Sequence, residues 1–372
     1  MRFPEFTGEW KLSTIGDECD ILCGYAFAGK DILEKSGDVL LMRGINIAEG
    51  HLRHSEDLDR FYSGPKEKLA KYVVRTGDVV IGMDGSKVGH NAATVTPKED
   101  GAYLVQRVCR LRSNKTNMRL LIQYINNPKY YKYVDAVKTA SAIPHISQTD
   151  IQKFSVYLPT SKQEQDKIGN LLSFIDERIA TQSKIIEDLE LLKSAISRVM
   201  ITRYESHTYY LGDIADIYQP QTIEASAFDM NASYNVYGAN GIIGKYHEYN
   251  HDNPQICIAC RGNSCGVVNY TLPKSWITGN AMVINTDNYN VNKRFLFHYL
   301  SNINFSSIIS GSGQPQIVRQ PLLKLKIHLP SIDVQLYHAQ NIDCLCYMIE
   351  NEKKLLNLFV RQKQYLLRQM FI

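Results

Sequence analysis

The sequence predicts an α+β protein: two similar mixed α/β domains separated by two long helices that pair as an antiparallel coiled coil. Three observations carry this. First, residues 141–179 are echoed by residues 311–349, with Pro144 and Pro315, Ile146 and Ile317, and Leu158-Pro159 and Leu329-Pro330 each 171 residues apart. Beyond a one-residue gap after the Leu-Pro pair the offset becomes 170, linking Lys184 to Lys354, Lys193 to Lys363 and Arg198 to Arg368. That period exceeds any solenoid repeat and marks a duplicated domain-plus-helix unit. Second, an apolar seam of coiled-coil spacing follows each Leu-Pro pair. Third, each half shows the same order of strands, glycine turn, strand and helix.

The first domain is expected over residues 1–159. Strand-like runs at 38–47, 77–89 and 102–113 alternate with turns, and a helical stretch follows at 118–127. A long helix is expected within 160–204, starting shortly after Pro159. Its seam reads Ile168, Leu172, Ile175, Ile179, Gln182, Ile186, Leu189, Lys193, Ile196 and Met200, in steps of four and three. The second domain is expected over 205–330, with strands at 254–270 and 281–287 and a helix at 294–303. The last helix, within 331–372, repeats the seam as His338, Ile342, Leu345, Ile349, Glu352, Leu356, Phe359, Lys363, Leu366 and Met370. Both seams turn polar at the same places, Gln182/Glu352 and Lys193/Lys363. In an antiparallel pair such positions face one another near the middle and fix register at some cost in stability.

Composition agrees with two cores and a soluble, cytoplasmic protein. The chain has 372 residues, 44% of them hydrophobic, with mean hydropathy −0.26. There is no apolar run of membrane-spanning length and no secretory pattern at the start of the chain. Eight irregularly placed cysteines suit reduced thiols better than a disulfide framework. A net charge of +4 confines any polyanion contact to local patches.

The candidate chemistry is that of binding. Glycine turns stand at matching places, Asp84-Gly85-Ser86-Lys87-Val88-Gly89 and Arg261-Gly262-Asn263-Ser264-Cys265-Gly266. Glycines there let a backbone approach another surface, and Lys87, Arg261 and Asn263 bring groups that bind phosphates or base edges. A second matched loop runs Ser141-Ala142-Ile143-Pro144-His145-Ile146 in one half and Gly311-Ser312-Gly313-Gln314-Pro315-Gln316-Ile317 in the other. Basic residues are dense at Arg43, Arg53, Arg60, Lys66, Lys68, Lys71 and Arg75, and Lys129, Lys132 and Lys138 interleave with Tyr130, Tyr131 and Tyr133. The resulting DNA-contact candidates are Arg43, Arg75, Ser86, Lys87, His90, Tyr131, Lys132 and His145, then Asn240, Lys245, Arg261, Asn263, Gln314 and Gln316. Pairing of the helices falls to Ile168, Leu172, Ile175, Ile179, Ile186, Leu189, Ile342, Leu345, Ile349, Leu356, Phe359 and Leu366.

Catalytic and metal readings are weak. Cys257, Cys260 and Cys265 match no paired zinc spacing, and strand alternation puts Cys257 and Cys260 on opposite faces. Asn127-Pro128-Lys129-Tyr130 departs from the Asn-Pro-Pro-Tyr signature of amino-methyltransferases at the second proline, and reads as a helix stop. No dinucleotide fingerprint or P-loop is present. No catalytic residue is expected.

The head of the first long helix, Leu158-Pro159, Glu164-Gln165, Ile168 and Ile175-Asp176, resembles the specificity subunit of Type I restriction–modification systems. The second copy keeps Leu329-Pro330 and Gln335, with His338 for the isoleucine and Cys346 for the aspartate. Trp10-Lys11-Leu12 through Gly24-Tyr25-Ala26-Phe27 looks like the opening of a first target-recognition domain, and Leu211-Gly212-Asp213-Ile214 like that of a second. Tyr237-Gly238-Ala239-Asn240-Gly241-Ile242-Ile243-Gly244 is similar to a recurrent segment of such domains. The resemblance covers essentially the whole chain. It implies a DNA-binding subunit without catalysis of its own, each domain reading half of a bipartite target. It also implies that the helix pair sets the spacer and docks two methyltransferase subunits, through which restriction/motor subunits join. S-adenosylmethionine, ATP and Mg are then expected on the partners, and no cofactor on this chain. The alternative is a coiled-coil scaffold whose globular ends bind protein.

Overall fold

The computed structural model describes residues 2–35, 37–85, 87–202, 204–238, 240–311 and 313–370, and of residues 200–202 the backbone alone. The chain forms two compact units, one of Met1–Thr181 with Leu356–Ile372, the other of Gln182–Leu355. Each unit therefore holds one mixed α/β domain and part of both long helices. The unit boundaries fall inside the helices, whereas the sequence marked its divisions at the Leu-Pro pairs.

In the first unit, Trp10–Thr14 pairs antiparallel with Ser155–Pro159, Trp10 opposite Pro159. This two-stranded clasp brings the start of the domain to the strand that leads into the long helix. The second unit repeats it, His207–Tyr210 pairing with Lys326–Leu329. The main sheet of the first unit is antiparallel, in the order Asp20–Cys23, Val108–Arg112, Val79–Gly82, Ala92–Thr94. That of the second runs Asp216–Tyr218, Ala281–Asn285, Ile256–Ala259, Val268–Tyr270. Strand order is thus duplicated. The inner strands Val79–Gly82 and Ile256–Ala259 are buried along their whole length, as their branched side chains favour. A smaller sheet accompanies each, and in both it includes one parallel pair: Leu41 with Tyr103, and Val236 with Trp276.

One domain helix packs on each main sheet, Met118–Ile125 or Lys293–Ser301. Their caps match: Asn117 Oδ1 accepts from Leu120 N at 3.1 Å, and Asn292 Oδ1 from Phe295 N at 2.8 Å. The helix expected over 118–127 ends at Ile125, and a further helix, Pro128–Val137, begins where a stop was read. The cause is local. Proline at the first helical position loses no needed N–H, and Asn127 caps the new helix by accepting from Lys129 N at 2.9 Å.

The long helices are Lys162–Thr202 and Ile332–Met370. Except for Met200, whose side chain lies outside the described set, every seam position is buried or half-buried. Ile168, Leu172 and Ile342 have no exposed surface, Ile175, Ile186, Leu345 and Ile349 are buried, and Ile179, Leu189, Leu356, Phe359 and Leu366 are half-buried. In the first unit, Arg178 lies over the Phe359 ring at 5.9 Å and Lys363 pairs with Asp176 at 2.5 Å. In the second, Lys353 pairs with Glu190 at 2.6 Å and Tyr204 meets His338 edge to face. Later residues of one helix meet earlier residues of the other, so the pair is antiparallel within each unit.

The polar breaks differ in outcome. Gln182 Nε2 donates to the carboxylate of Glu352 and lies 3.5 Å from its carbonyl oxygen, so these two do meet in the seam. The other polar positions fall in different units, Lys193 in the second and Lys363 in the first, where Lys363 pairs with Asp176.

The helix heads also show what the repeat retains. Gln165 Nε2 donates to Pro159 O at 2.8 Å while its Oε1 accepts from Asn117 N at 3.1 Å. Gln335 does the same with Pro330 O at 2.9 Å and Asn292 N at 3.0 Å. Asp176 receives Gln123 Nε2 at 2.7 Å. Its counterpart by position is Cys346, but Asp343, one helical turn earlier on the same face, takes over and receives Arg294 Nε and His298 Nε2 at 2.9 and 2.7 Å. His338, in the place of Ile168, is buried, and among the described residues neither ring nitrogen has a hydrogen-bond partner.

Candidate nucleic-acid interface

The two loops that the sequence singled out in each half come together in the fold. In the first unit, Gly85 N donates to Pro144 O at 3.2 Å, and Ile146 N donates to Met83 O at 3.0 Å. In the second, Gly262 N donates to Pro315 O at 3.0 Å, and Ile317 N donates to Cys260 O at 3.1 Å. Isolated β-bridges join Asp84 to His145 and Arg261 to Gln316. Each glycine turn closes on itself in the same way, Gly89 N bonding Gly82 O and Gly266 N bonding Ala259 O, both at 2.8 Å. The turns need left-handed backbone at matching places: φ is +97° at Gly85, +75° at Gly262, +69° at Gly89 and +92° at Gly266.

Around the first pair the fold gathers Lys87, His90, Tyr131, Glu49 and Asp135. The His90 ring stacks on Tyr131 at 4.3 Å and 10°. Tyr131 Oη donates to Glu49 Oε1 at 3.0 Å, and Lys87 Nζ lies 3.9 Å from Glu49 Oε2. His90 Nε2 lies 3.4 Å from Asp135 Oδ1. Burial, aided by the Glu49 charge, pushes the Tyr131 hydroxyl above its ordinary pKa. The Lys138 ammonium, with His90 beside it, holds the Asp135 carboxyl below its usual value. His145 is set by Thr139, whose hydroxyl lies 2.9 Å from its Nδ1. Lys87 and Lys132 are exposed. Ser86 lies outside the described residues.

Other candidates are tied to their own domain. Arg43 Nη1 donates to Leu58 O at 3.3 Å, and Arg75 lies 3.7 Å from Asp100. Of the three interleaved tyrosines only Tyr131 serves the site: Tyr130 is fully buried against Phe154, and Tyr133 Oη donates to Asp150 O at 2.8 Å. In the second unit Arg261, Asn263, Gln314 and Gln316 are exposed on the paired loops. Asn240 is exposed beside the hairpin of Tyr234–Gly238 and Gly241–Tyr246, where Lys245 is half-buried. Glu49, Asp135 and Thr139 had no sequence signal as site members, because only the fold brings Glu49 to Tyr131. The cysteines divide as alternation requires, Cys257 in one apolar cluster and Cys260 in another.

The Type I restriction modification DNA specificity domain matches this sequence twice, over residues 7–191 and 204–358. The chain belongs to that family. The specificity subunit of the Type I restriction enzyme EcoprrI from Escherichia coli is 33% identical over 110 residues, 30% of this chain and 27% of the relative. That of EcoBI, also from Escherichia coli, is 24% identical over 196 residues, 52% of this chain and 39% of the relative. The matches thus span less than two-fifths of these relatives' lengths. Among solved structures, the Type I restriction–modification S subunit from M. genitalium has the same fold, with a TM-score of 0.74 at 17% identity over 100% of this chain and 99% of that one. As a family member this specificity-domain chain carries the domain twice, once per unit. No helix among its described residues is long and apolar enough to cross a membrane.

Proposed function

We propose that this chain is the DNA-reading subunit of a Type I restriction–modification assembly, each domain reading one half of a bipartite, asymmetric site. The observation that carries the reading is the paired-loop platform, built twice from the same backbone bonds and bearing different side chains. A repeated frame with different polar groups suits two readers of different half-sites. The helix pair sets the unread spacer and docks two methyltransferase subunits, through which restriction/motor subunits join. S-adenosylmethionine, ATP and Mg belong to those partners, and this chain contributes recognition without catalysis.

The test is footprinting of the full chain, with methyltransferase subunits added, over a range of salt. Two protected half-sites with an unprotected spacer are expected, and binding should weaken steeply with salt as phosphate counterions are released. Inserting one helical turn between Ile179 and Lys193, matched between Ile349 and Lys363, should change the spacer and spare both half-site sequences. A single continuous site, or unchanged spacing in the insertion variant, would overturn the reading.

A further inference from the structure

The paired loops hold one residue of each loop in the same backbone position in both units. Asp84 and Arg261 each stand immediately before the first glycine of the turn, and His145 and Gln316 each stand immediately after the proline of the facing loop. The bridges join Asp84 to His145 in one unit and Arg261 to Gln316 in the other. The backbone on either side is pinned by the same two hydrogen bonds, to the proline carbonyl and from the following isoleucine. What differs is chemistry: an acid with a histidine in one unit, a guanidinium with an amide in the other.

These side chains are kept free in a protein that uses most comparable groups internally. Arg2, Arg110, Arg112 and Arg294 are each paired with a carboxylate. Among the described residues, neither the Asp84 carboxylate, the Arg261 guanidinium nor the Gln316 amide has a hydrogen-bond or ion-pair partner. Thr139 engages His145 Nδ1, and among the described residues Nε2 has no hydrogen-bond partner. Rigid backbone with unfilled donors and acceptors suits direct readout of base edges.

We propose that Asp84 with His145, and Arg261 with Gln316, are the specificity-determining pairs of their domains, Asp84 selecting a cytosine and Arg261 a guanine. This rests on the DNA-reading function proposed above. A carboxylate facing phosphates would only repel them, whereas toward a base edge it accepts from the cytosine N4 amino group. Arginine in the matching place reaches guanine O6 and N7 together, and a neighbouring glutamine pairs with adenine N6 and N7.

The experiment selects bound duplexes from a random pool, using the full chain assembled with methyltransferase subunits. The variants are Asp84→Arg, the reciprocal Arg261→Asp, and Asp84→Ala. For Asp84→Arg, one position of the first half-site should change from cytosine to guanine, with the second half-site read as before. The new preference should be about ten- to hundredfold, the usual cost of one wrong base pair. Arg261→Asp should make the opposite exchange in the second half-site, and Asp84→Ala should lose preference at one position only. An unchanged consensus with uniformly tighter binding by Asp84→Arg would overturn the proposal, placing Asp84 against phosphate. Loss of the entire first half-site in Asp84→Ala would also overturn it, making Asp84 a structural residue. The intact half-site reports folding in every variant. If the unmodified chain selects no bipartite sequence, the DNA-reading function itself fails, a result distinct from failure of these residues.

Discussion

Single residues divide into those that shape the loops and those left free to bind. Gly89 belongs to the first group. Its φ is +69°, and a Cβ added there would lie 2.8 Å from Val134 Cγ1 and 3.0 Å from Ile146 Cδ1. Gly89→Ala should therefore destabilise the first unit by about 1–3 kcal/mol from backbone strain alone, read as a lower midpoint in chemical denaturation. Gly85→Ala meets no atom within 4 Å, so only the strain of its φ of +97° is felt there. The site was partly legible at this scale. The repeat itself points to both loops, and so to Lys87, His145, Arg261 and Gln316. It does not point to Glu49, because its value lies in reaching Tyr131 across 82 residues of chain. Arg43 stands out in the sequence by its charge, which says nothing of the Leu58 carbonyl that holds its guanidinium.

Among elements, the long helices were the most legible, since a seam of fixed period is visible without any tertiary knowledge. Their polar break at Gln182 and Glu352 is a genuine meeting across the pair. Gln182→Leu should leave the Glu352 carboxylate half-buried without its donor, at a cost of about 1–3 kcal/mol. The double variant with Glu352→Leu should recover most of that loss. Melting temperatures of the single and double variants measure the coupling directly. The stop at Asn127-Pro128 is real, since the preceding helix ends at Ile125, but the helix Pro128–Val137 is hidden in the sequence, because a proline ends one helix and begins another by the same property, its missing N–H. Strand partners were not legible at all: nothing in the runs themselves says that Asp20–Cys23 neighbours Val108–Arg112.

At the scale of the whole molecule, the second unit carries buried histidines that make its stability depend on acid. Burial pushes His251, His298 and His338 of the second unit below the ordinary histidine pKa. A group whose pKa is depressed by folding stabilises fully above its unfolded value, about 6.5 for histidine. That stability is lost as pH falls from about 6.5 toward the lower folded values. Thermal melts should accordingly show the second unit weakening between neutral pH and about pH 5. His338→Ile, which installs the residue found at the matching place in the first unit, should reduce that weakening. It should also raise stability at neutral pH, because it removes two unpartnered ring nitrogens from the interior. The duplication that organises the molecule was legible from the 171-residue offset. That the duplicated halves share even their strand order became visible only in the fold.

The two-stranded clasp has a consequence for inheritance. Each domain leaves and rejoins the frame at one place, Trp10 opposite Pro159 and His207 opposite Leu329. The clasp is held by backbone groups, which every residue but proline supplies alike. Mutations inside either domain can therefore accumulate, or a whole domain can be exchanged by recombination at its two adjoining ends, while the helix that follows keeps its starting point. The two halves of the chain could then diverge independently of each other.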